Sequence, residues 1–246
     1  MKTVNFLGFT VCKQDLRSLV VDVLESDSVS VVNTINAHSY CMQRDDHQFR
    51  RALKNSSVLL PDGSGITLVG RLLNIALPKL SGYEFFLEVM VNLDEKSGRV
   101  FFLGSSEDVL EKIKIRAAKD FPNIEVGTLS PGFKDVFNSE DVGLFANEIN
   151  GFMPDALFLG LTAPKQEKLA QDLRFLKTGP LIASVGAVFD FYAQTKKRPH
   201  EVLIKFHLEW LGRLISDPKR IYRRVFVSMP IFIGIVFWKW VRRDLQ

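Results

Sequence analysis

The side chains that could do chemistry in this 246-residue chain fall in short polar clusters, most of them just beyond apolar runs. Leu59-Leu60-Pro61-Asp62-Gly63-Ser64-Gly65 sets a carboxylate after an apolar stretch, with glycines behind it. At the mouth of a sheet, Asp62 could take the proton of an attacking alcohol, which is too weak an acid to ionise unaided. The alternative is a turn cap, since Asp-Gly is common turn chemistry. Asn33-Thr34-Ile35-Asn36, with His38 close behind, offers amide and hydroxyl groups able to hold sugar hydroxyls or orient a carboxylate. Asn36 is equally placed to cap the next helix. Phe102-Leu103-Gly104-Ser105-Ser106 passes from an apolar run into helix-start residues. Backbone N–H groups and the helix dipole there can hold phosphate, though a tight turn uses the same residues.

Gly160-Leu161-Thr162-Ala163-Pro164-Lys165-Gln166-Glu167 places a proline where a helix begins, so Lys165 and Gln166 fall near its positive end. An uncharged Gln166 suits a hydrogen bond to a phosphate or a sugar. Gly186-Ala187-Val188-Phe189-Asp190-Phe191 follows, and then Lys196, Lys197 and Arg198. The last cluster runs from His207 through Glu209 and Arg213 to Asp217-Pro218-Lys219-Arg220-Ile221-Tyr222-Arg223-Arg224. Spacings of 7 and 4 put Arg213, Arg220 and Arg224 on one face if a helix runs through. Arginines so arranged could neutralise a departing diphosphate, or touch lipid headgroups.

These clusters need elements to hold them. Residues 4–9 and 29–35 are rich in β-branched residues and read as strands, with a helix between them whose apolar face is Leu16, Leu19, Val20, Val23 and Leu24. One helix is expected over 37–55, a strand over 57–61 and a helix over 66–73. Further strands are expected at 99–104, 124–130, 155–161 and from 180, separated by helices up to about 121, near 140–150 and over 165–176. The alternation predicts an α/β fold: a Rossmann-like, mostly parallel sheet with helices on both faces. Ligands of such sheets bind beyond the C-terminal strand ends, where most of the polar clusters fall. After about Arg198 the alternation stops. The expected division is a catalytic α/β body over 1–195 and a helical, basic appendage over 196–246.

Charge follows the same division. The appendage carries twelve Lys/Arg against four Asp/Glu, a net +8, whereas the body is at −4. A basic tail on a mildly acidic body points to an anionic partner such as phosphate or an acidic lipid surface. Cys12 and Cys41 show no metal-ligand spacing and suit a reducing compartment. The opening MKTVNFLGFTV has neither an apolar h-region nor a small-residue cleavage site, so a cytoplasmic location is expected. Residues 225–238 are uncharged and aromatic, interrupted by Pro230 and followed by Lys239, Arg242 and Arg243. That is short of the ~20 residues needed to span a bilayer, so an interfacial segment is expected, with a buried C-terminal helix as the alternative.

Collectively, NTINAHS, LLPDGSGI, LFLGLTAPKQEK, GAVFDF with KKR, and HLEWLGRLISDPKRIYRR resemble the bacterial WecG/TagA/CpsF glycosyltransferases, in the family order from about Val31 to Arg224. The resemblance implies an enzyme at the cytoplasmic face of the cell membrane, working in cell-envelope polysaccharide synthesis. Its members move N-acetylmannosamine, its uronic acid or glucose from UDP to a polyprenyl-diphosphate-linked sugar, with inversion and without a metal or other cofactor. By resemblance Asp62 is the base, Thr34 and Asn36 the polar pair beside it, and Gln166 the glutamine of the PKQE motif. Arg213, Arg220 and Arg223 match arginines of the segment that closes the site and seats the enzyme on the membrane, and are expected to reach the diphosphate. Gly104, Ser105, Lys165 and Asp190 are carried as further substrate-binding candidates. Two positions depart from the pattern: Lys79 stands where an arginine is common, and Gln194 where a glycine is. Lys79 keeps the charge but not the bidentate fork.

The expected partners are a UDP-sugar, a polyprenyl-diphosphate-linked acceptor and a membrane surface, with no nucleic acid; a homo-oligomer is compatible with the sequence. Two other classes make their own demands on the sequence. A nucleotide-dependent oxidoreductase would need a full glycine fingerprint with an acidic residue ~20 positions later, and the chain has none. A non-catalytic membrane-recruited scaffold would need only the basic tail.

Overall fold

The computed structural model describes residues 1–175, 181–196, 214 and 218–242. Its centre is a six-stranded sheet in the order β4-β3-β8-β7-β5-β6, in which every pairing is parallel. The strands are β3 (Ser30–Ile35), β4 (Val58–Pro61), β5 (Arg99–Leu103), β6 (Glu125–Leu129), β7 (Ala156–Leu159) and β8 (Leu181–Ser184). Parallel strands covered on both faces read as unbroken apolar runs, which is why FFL and ALFL show no alternation. Side chains nevertheless alternate in space. Val100 and Phe102 enter one core with α1 (Leu16–Leu24), α5 (Gly82–Glu95), α6 (Glu107–Asp120) and α9 (Val188–Tyr192). Phe101 and Leu103 enter the core on the other face with α7 (Ser139–Phe152) and α8 (Lys165–Leu173).

The expected α/β fold is therefore observed, with four local differences. The stretch 4–9 is not one strand but a hairpin, β1 (Thr3–Phe6) against β2 (Phe9–Cys12). Leu7 and Gly8 both take positive φ, the geometry of a two-residue hairpin turn, and reverse the chain there. The single helix expected over 37–55 is two, α2 (Ala37–Met42) and α3 (His47–Lys54), because the Asp46 side chain accepts from the N–H of Phe49 and starts a new helix. The helix after Asp62, α4, begins at Ser64 and ends at Leu72. Helix α5 is not among the expected elements, yet Ser81 and Glu84 form a capping box that announces it.

At the C-terminus, α10 (Pro218–Tyr222), a π-helical turn (Arg223–Ser228) and α11 (Met229–Val241) follow one another. Phe232 and Val236 of α11 are buried in a third core with the hairpin, α2, α3 and α4, and the Phe232 ring meets that of Tyr40 at 5.2 Å. The opposite face carries Ile233, Phe237 and Trp240, all exposed. The run Arg223–Val241 is long and apolar enough, by length and composition, to cross a membrane. The run is thus longer than the 14-residue stretch expected from 225–238, and the burial of Phe232 and Val236 bears out in part the alternative of a C-terminal helix packed on the body.

Candidate functional site

A cavity opens at the C-terminal ends of β4, β3, β8 and β7, which are neighbours in the sheet. It is lined by Thr34 near the end of β3 and Asn36 just after it, Asp62 after β4, Val185 to Val188 after β8, and Leu161, Ala163, Gln166 and Glu167 after β7. Ser81, Gly82 and Tyr83 of the α5 N-terminus, Phe191 of α9, and Arg224 of the π-helical turn complete the wall. All four residues expected at the catalytic centre therefore lie in one wall. They come from segments up to 132 positions apart in sequence, from Thr34 to Gln166.

Backbone pairing sets the centre. The β3–β4 register places Ile35 opposite Pro61, and the N–H of Asp62 then donates to the Ile35 carbonyl at 2.9 Å. This extra rung fixes Asp62 beside Asn36. The capping role considered for Asn36 is real: its side chain accepts from the N–H of Ser39 at 2.9 Å, and Ser39 Oγ returns to the Asn36 backbone. Asn36 is thus held rigidly while still lining the cavity. Asp62 is not the N-cap of α4, a position taken by Gly63.

Gln166 and Glu167 sit in the first turn of α8, as expected of Gln166, after the cis Ala163–Pro164 peptide. Gln166 Nε2 donates to Glu167 Oε1 at 2.9 Å. Burial leaves Glu167 2% exposed and pushes its carboxyl from 4.5 up to about 7, against the opposing pull of that hydrogen bond and of the Arg224 charge. Gly186 shapes the wall here. With φ +57 and its missing Cβ only 3.3 Å from Gln166 Oε1, it brings bare backbone against the glutamine. The charged groups of the lining are Asp62, Glu167 and Arg224.

Other expected residues lie elsewhere. Gly104 and Ser105 follow β5, one strand beyond β7, outside the lining. A Cβ on Gly104, whose φ is +126, would stand 2.8 Å from the Gly160 carbonyl oxygen, so glycine is required where these strand ends meet. Lys165 turns to the Lys134 carbonyl and the Phe137 ring. Asp190 pairs with Lys196 at 3.0 Å, and Lys79 is half-buried outside the lining. Arg213 lies outside the described residues, as does the side chain of Arg220. Arg223 is exposed, and it is the neighbouring Arg224 that enters the cavity wall. A helical turn rotates successive residues by roughly 100°, so two adjacent arginines cannot share one face.

Glu167 lines the cavity too, although the sequence names it only as the end of its cluster. Its signal was a carboxylate beside the buried face of α8, formed by Gln166, Leu169, Ala170 and Leu173, where charge is otherwise excluded. Among the described residues no group of three His, Cys, Asp or Glu could hold a metal ion.

An adjoining groove runs from Asp62 and Asn36 past His38 and Gly65 to Ile221, Val225 and Met229. Here the C-terminal helices meet α2: His38 Nδ1 lies 2.8 Å from Ser228 Oγ, and Cys41 Sγ donates to the Ser228 carbonyl at 3.3 Å. The groove joins the cavity to the base of the apolar helix.

A model of the glycosyl transferase WecG/TagA/CpsF family matches residues 4–246. The chain is 30% identical over 240 residues to an N-acetylglucosaminyldiphosphoundecaprenol N-acetyl-beta-D-mannosaminyltransferase of Bacillus spizizenii, covering 96% of this chain and 90% of the relative. A protein of the same name from Bacillus subtilis is 29% identical over 236 residues, 94% of this chain and 89% of the relative. One from Staphylococcus aureus strain MW2 is 28% identical over 191 residues, 76% and 72% of the two chains.

Proposed function

We propose, from the premise that this chain belongs to the WecG/TagA/CpsF family of glycosyltransferases, that it transfers N-acetylmannosamine from UDP to an undecaprenyl-diphosphate-linked N-acetylglucosamine. The sugar and the acceptor are taken from the names of its relatives. The observation that carries the mechanism is the meeting of Asp62, Thr34, Asn36, Gln166 and Arg224 around one cavity at the open end of the sheet.

The acceptor hydroxyl oxygen attacks the anomeric carbon of the donor sugar. A carbon–oxygen bond forms as the bond to the UDP oxygen breaks, and the configuration inverts. Asp62 takes the hydroxyl proton during the attack, which keeps a full alkoxide from forming. Thr34 and Asn36 orient the reacting groups beside it. Arg224 meets the negative charge that grows on the departing diphosphate, the interaction that lowers a barrier most effectively because it strengthens in the transition state. The nucleotide extends toward Gly104 and Ser105. The acceptor's lipid follows the groove toward α11, whose exposed aromatic face rests on the membrane. In this reading residues 1–195 are the catalytic body and 196–246 the appendage that seats it as a peripheral protein on the inner face of the membrane.

The test is a panel of UDP-sugars offered with a short-chain lipid-diphosphate-GlcNAc acceptor in the presence of EDTA. Transfer from UDP-N-acetylmannosamine in chelator is the expected result. Binding of NAD without turnover of any UDP-sugar would overturn the reading.

A further inference from the structure

Two buried oxygens in the residues of the cavity wall have no hydrogen-bond partner among the described residues: Oε1 of Gln166 and Oε2 of Glu167. They are neighbours held in one unit, because Gln166 Nε2 donates to the other Glu167 oxygen at 2.9 Å. That bond settles the orientation of the amide. With the nitrogen committed to a carboxylate, which accepts and cannot donate when ionised, the amide oxygen is left on the other side. Bare backbone at Gly186 lies against it, and no side chain of that residue supplies a donor.

Buried acceptors are seldom left without donors in a folded protein, and an unpaired one points to a missing partner. The chemistry of that partner is constrained. A diphosphate at neutral pH carries acceptor oxygens and negative charge, so it would meet two acceptors, one of them acidic, unfavourably. A sugar ring brings hydroxyl groups on adjacent carbons, each a donor. Arg224, across the same cavity, is the group suited to phosphate.

We propose that Gln166 and Glu167 together form a two-acceptor clamp for adjacent hydroxyl groups of the nucleotide-sugar, which makes Glu167 a substrate-binding residue. The clamp rests on reading this cavity as the donor pocket. Either of two diols in the same ligand has the required chemistry, that of the ribose and that of the transferred hexose.

The experiment is titration calorimetry, at a pH well above 7 where the Glu167 carboxyl is ionised, of UDP and of UDP-GlcNAc, an available sugar nucleotide, on the full chain and on Glu167→Gln and Glu167→Ala. Both substitutions are expected to weaken binding about tenfold or more, the scale of losing a hydrogen bond to a charged group. Equal weakening of both ligands assigns the clamp to the ribose, and weakening of UDP-GlcNAc alone assigns it to the hexose. Variants that unfold like the wild type and bind both ligands as tightly would overturn the clamp. Should the variants fail to fold, 2′-deoxy-UDP and UDP-hexoses lacking one ring hydroxyl serve on the wild-type chain. A clamp predicts at least one of them to bind about tenfold more weakly, and uniform affinity overturns it. Wild-type protein that binds neither UDP nor any UDP-sugar would bring down the donor-pocket reading and the clamp with it, a result distinct from unaltered variants.

Discussion

The backbone N–H of Asp62 donates to the carbonyl of Ile35 at 2.9 Å, one rung past the end of the β3–β4 ladder. That rung ties the backbone of Asp62 to the sheet, next to a residue that is itself locked by a capping box. A general base must be positioned before its pKa matters, and here the sheet does the positioning.

Asp62→Asn keeps the size of the side chain and removes the base. Turnover is expected to fall by roughly 10²–10⁴-fold, with thermal unfolding and UDP affinity close to wild type. Steady-state kinetics beside a melting curve checks this, and near-normal turnover in the folded variant would remove Asp62 from its role.

Asn36 has a cap to make and a cavity to line, and the two duties separate by substitution. Asn36→Ala should destabilise the fold by about 1 kcal/mol through loss of the cap. Asn36→Ser restores a capping oxygen and should recover most of that stability while leaving transfer impaired. Chemical denaturation and transfer assays on the pair tell whether the amide does more than cap. Full activity in Asn36→Ser would show that it does not.

Glu167 gives a signed pH prediction. Its folded pKa, about 7, lies above the ordinary value of 4.5, so the folded state holds the proton more tightly than the unfolded chain. The stability this contributes is complete below about 4.5 and is lost as pH rises through about 7, of order 3 kcal/mol in all. Glu167→Gln cannot ionise. The melting temperature of wild type relative to this variant should therefore decline between pH 4.5 and 7.5, and a constant difference would contradict the shifted carboxyl.

Helix α11 has two faces with two expected phenotypes. Phe232 is fully buried, and Phe232→Ala should cost about 3–5 kcal/mol of stability. Ile233, Phe237 and Trp240 point outward, so their joint replacement by serine should leave the unfolding midpoint nearly unchanged yet abolish sedimentation with acidic phospholipid vesicles. Loss of stability in the triple variant would mean that the outer face packs on protein instead.

Much of the fold was legible because parallel strands and the helices that cover them leave local signatures. Apolar runs such as FFL and ALFL, and the spacing of Leu16, Leu19, Val20 and Val23, depend only on neighbours a few residues away. The misreadings were also local. A Leu7–Gly8 reversal inside an apolar run, and the Asp46 cap inside what looked like one helix, turn on backbone angles and a single hydrogen bond, which hydrophobic periodicity does not register.

The sequence alone determined the alternation of the sheet strands with covering helices, the polar clusters at the strand ends, and the division of charge between body and tail. Only the tertiary structure decided that β4, β3, β8 and β7 lie side by side, that Arg224 rather than Arg223 faces the cavity, and that Glu167 is buried beside Gln166. The reason is physical. Propensity and periodicity act over a few residues, whereas strand order, the rotation of one arginine against the next, and the desolvation of a carboxylate depend on what distant parts of the chain place against it.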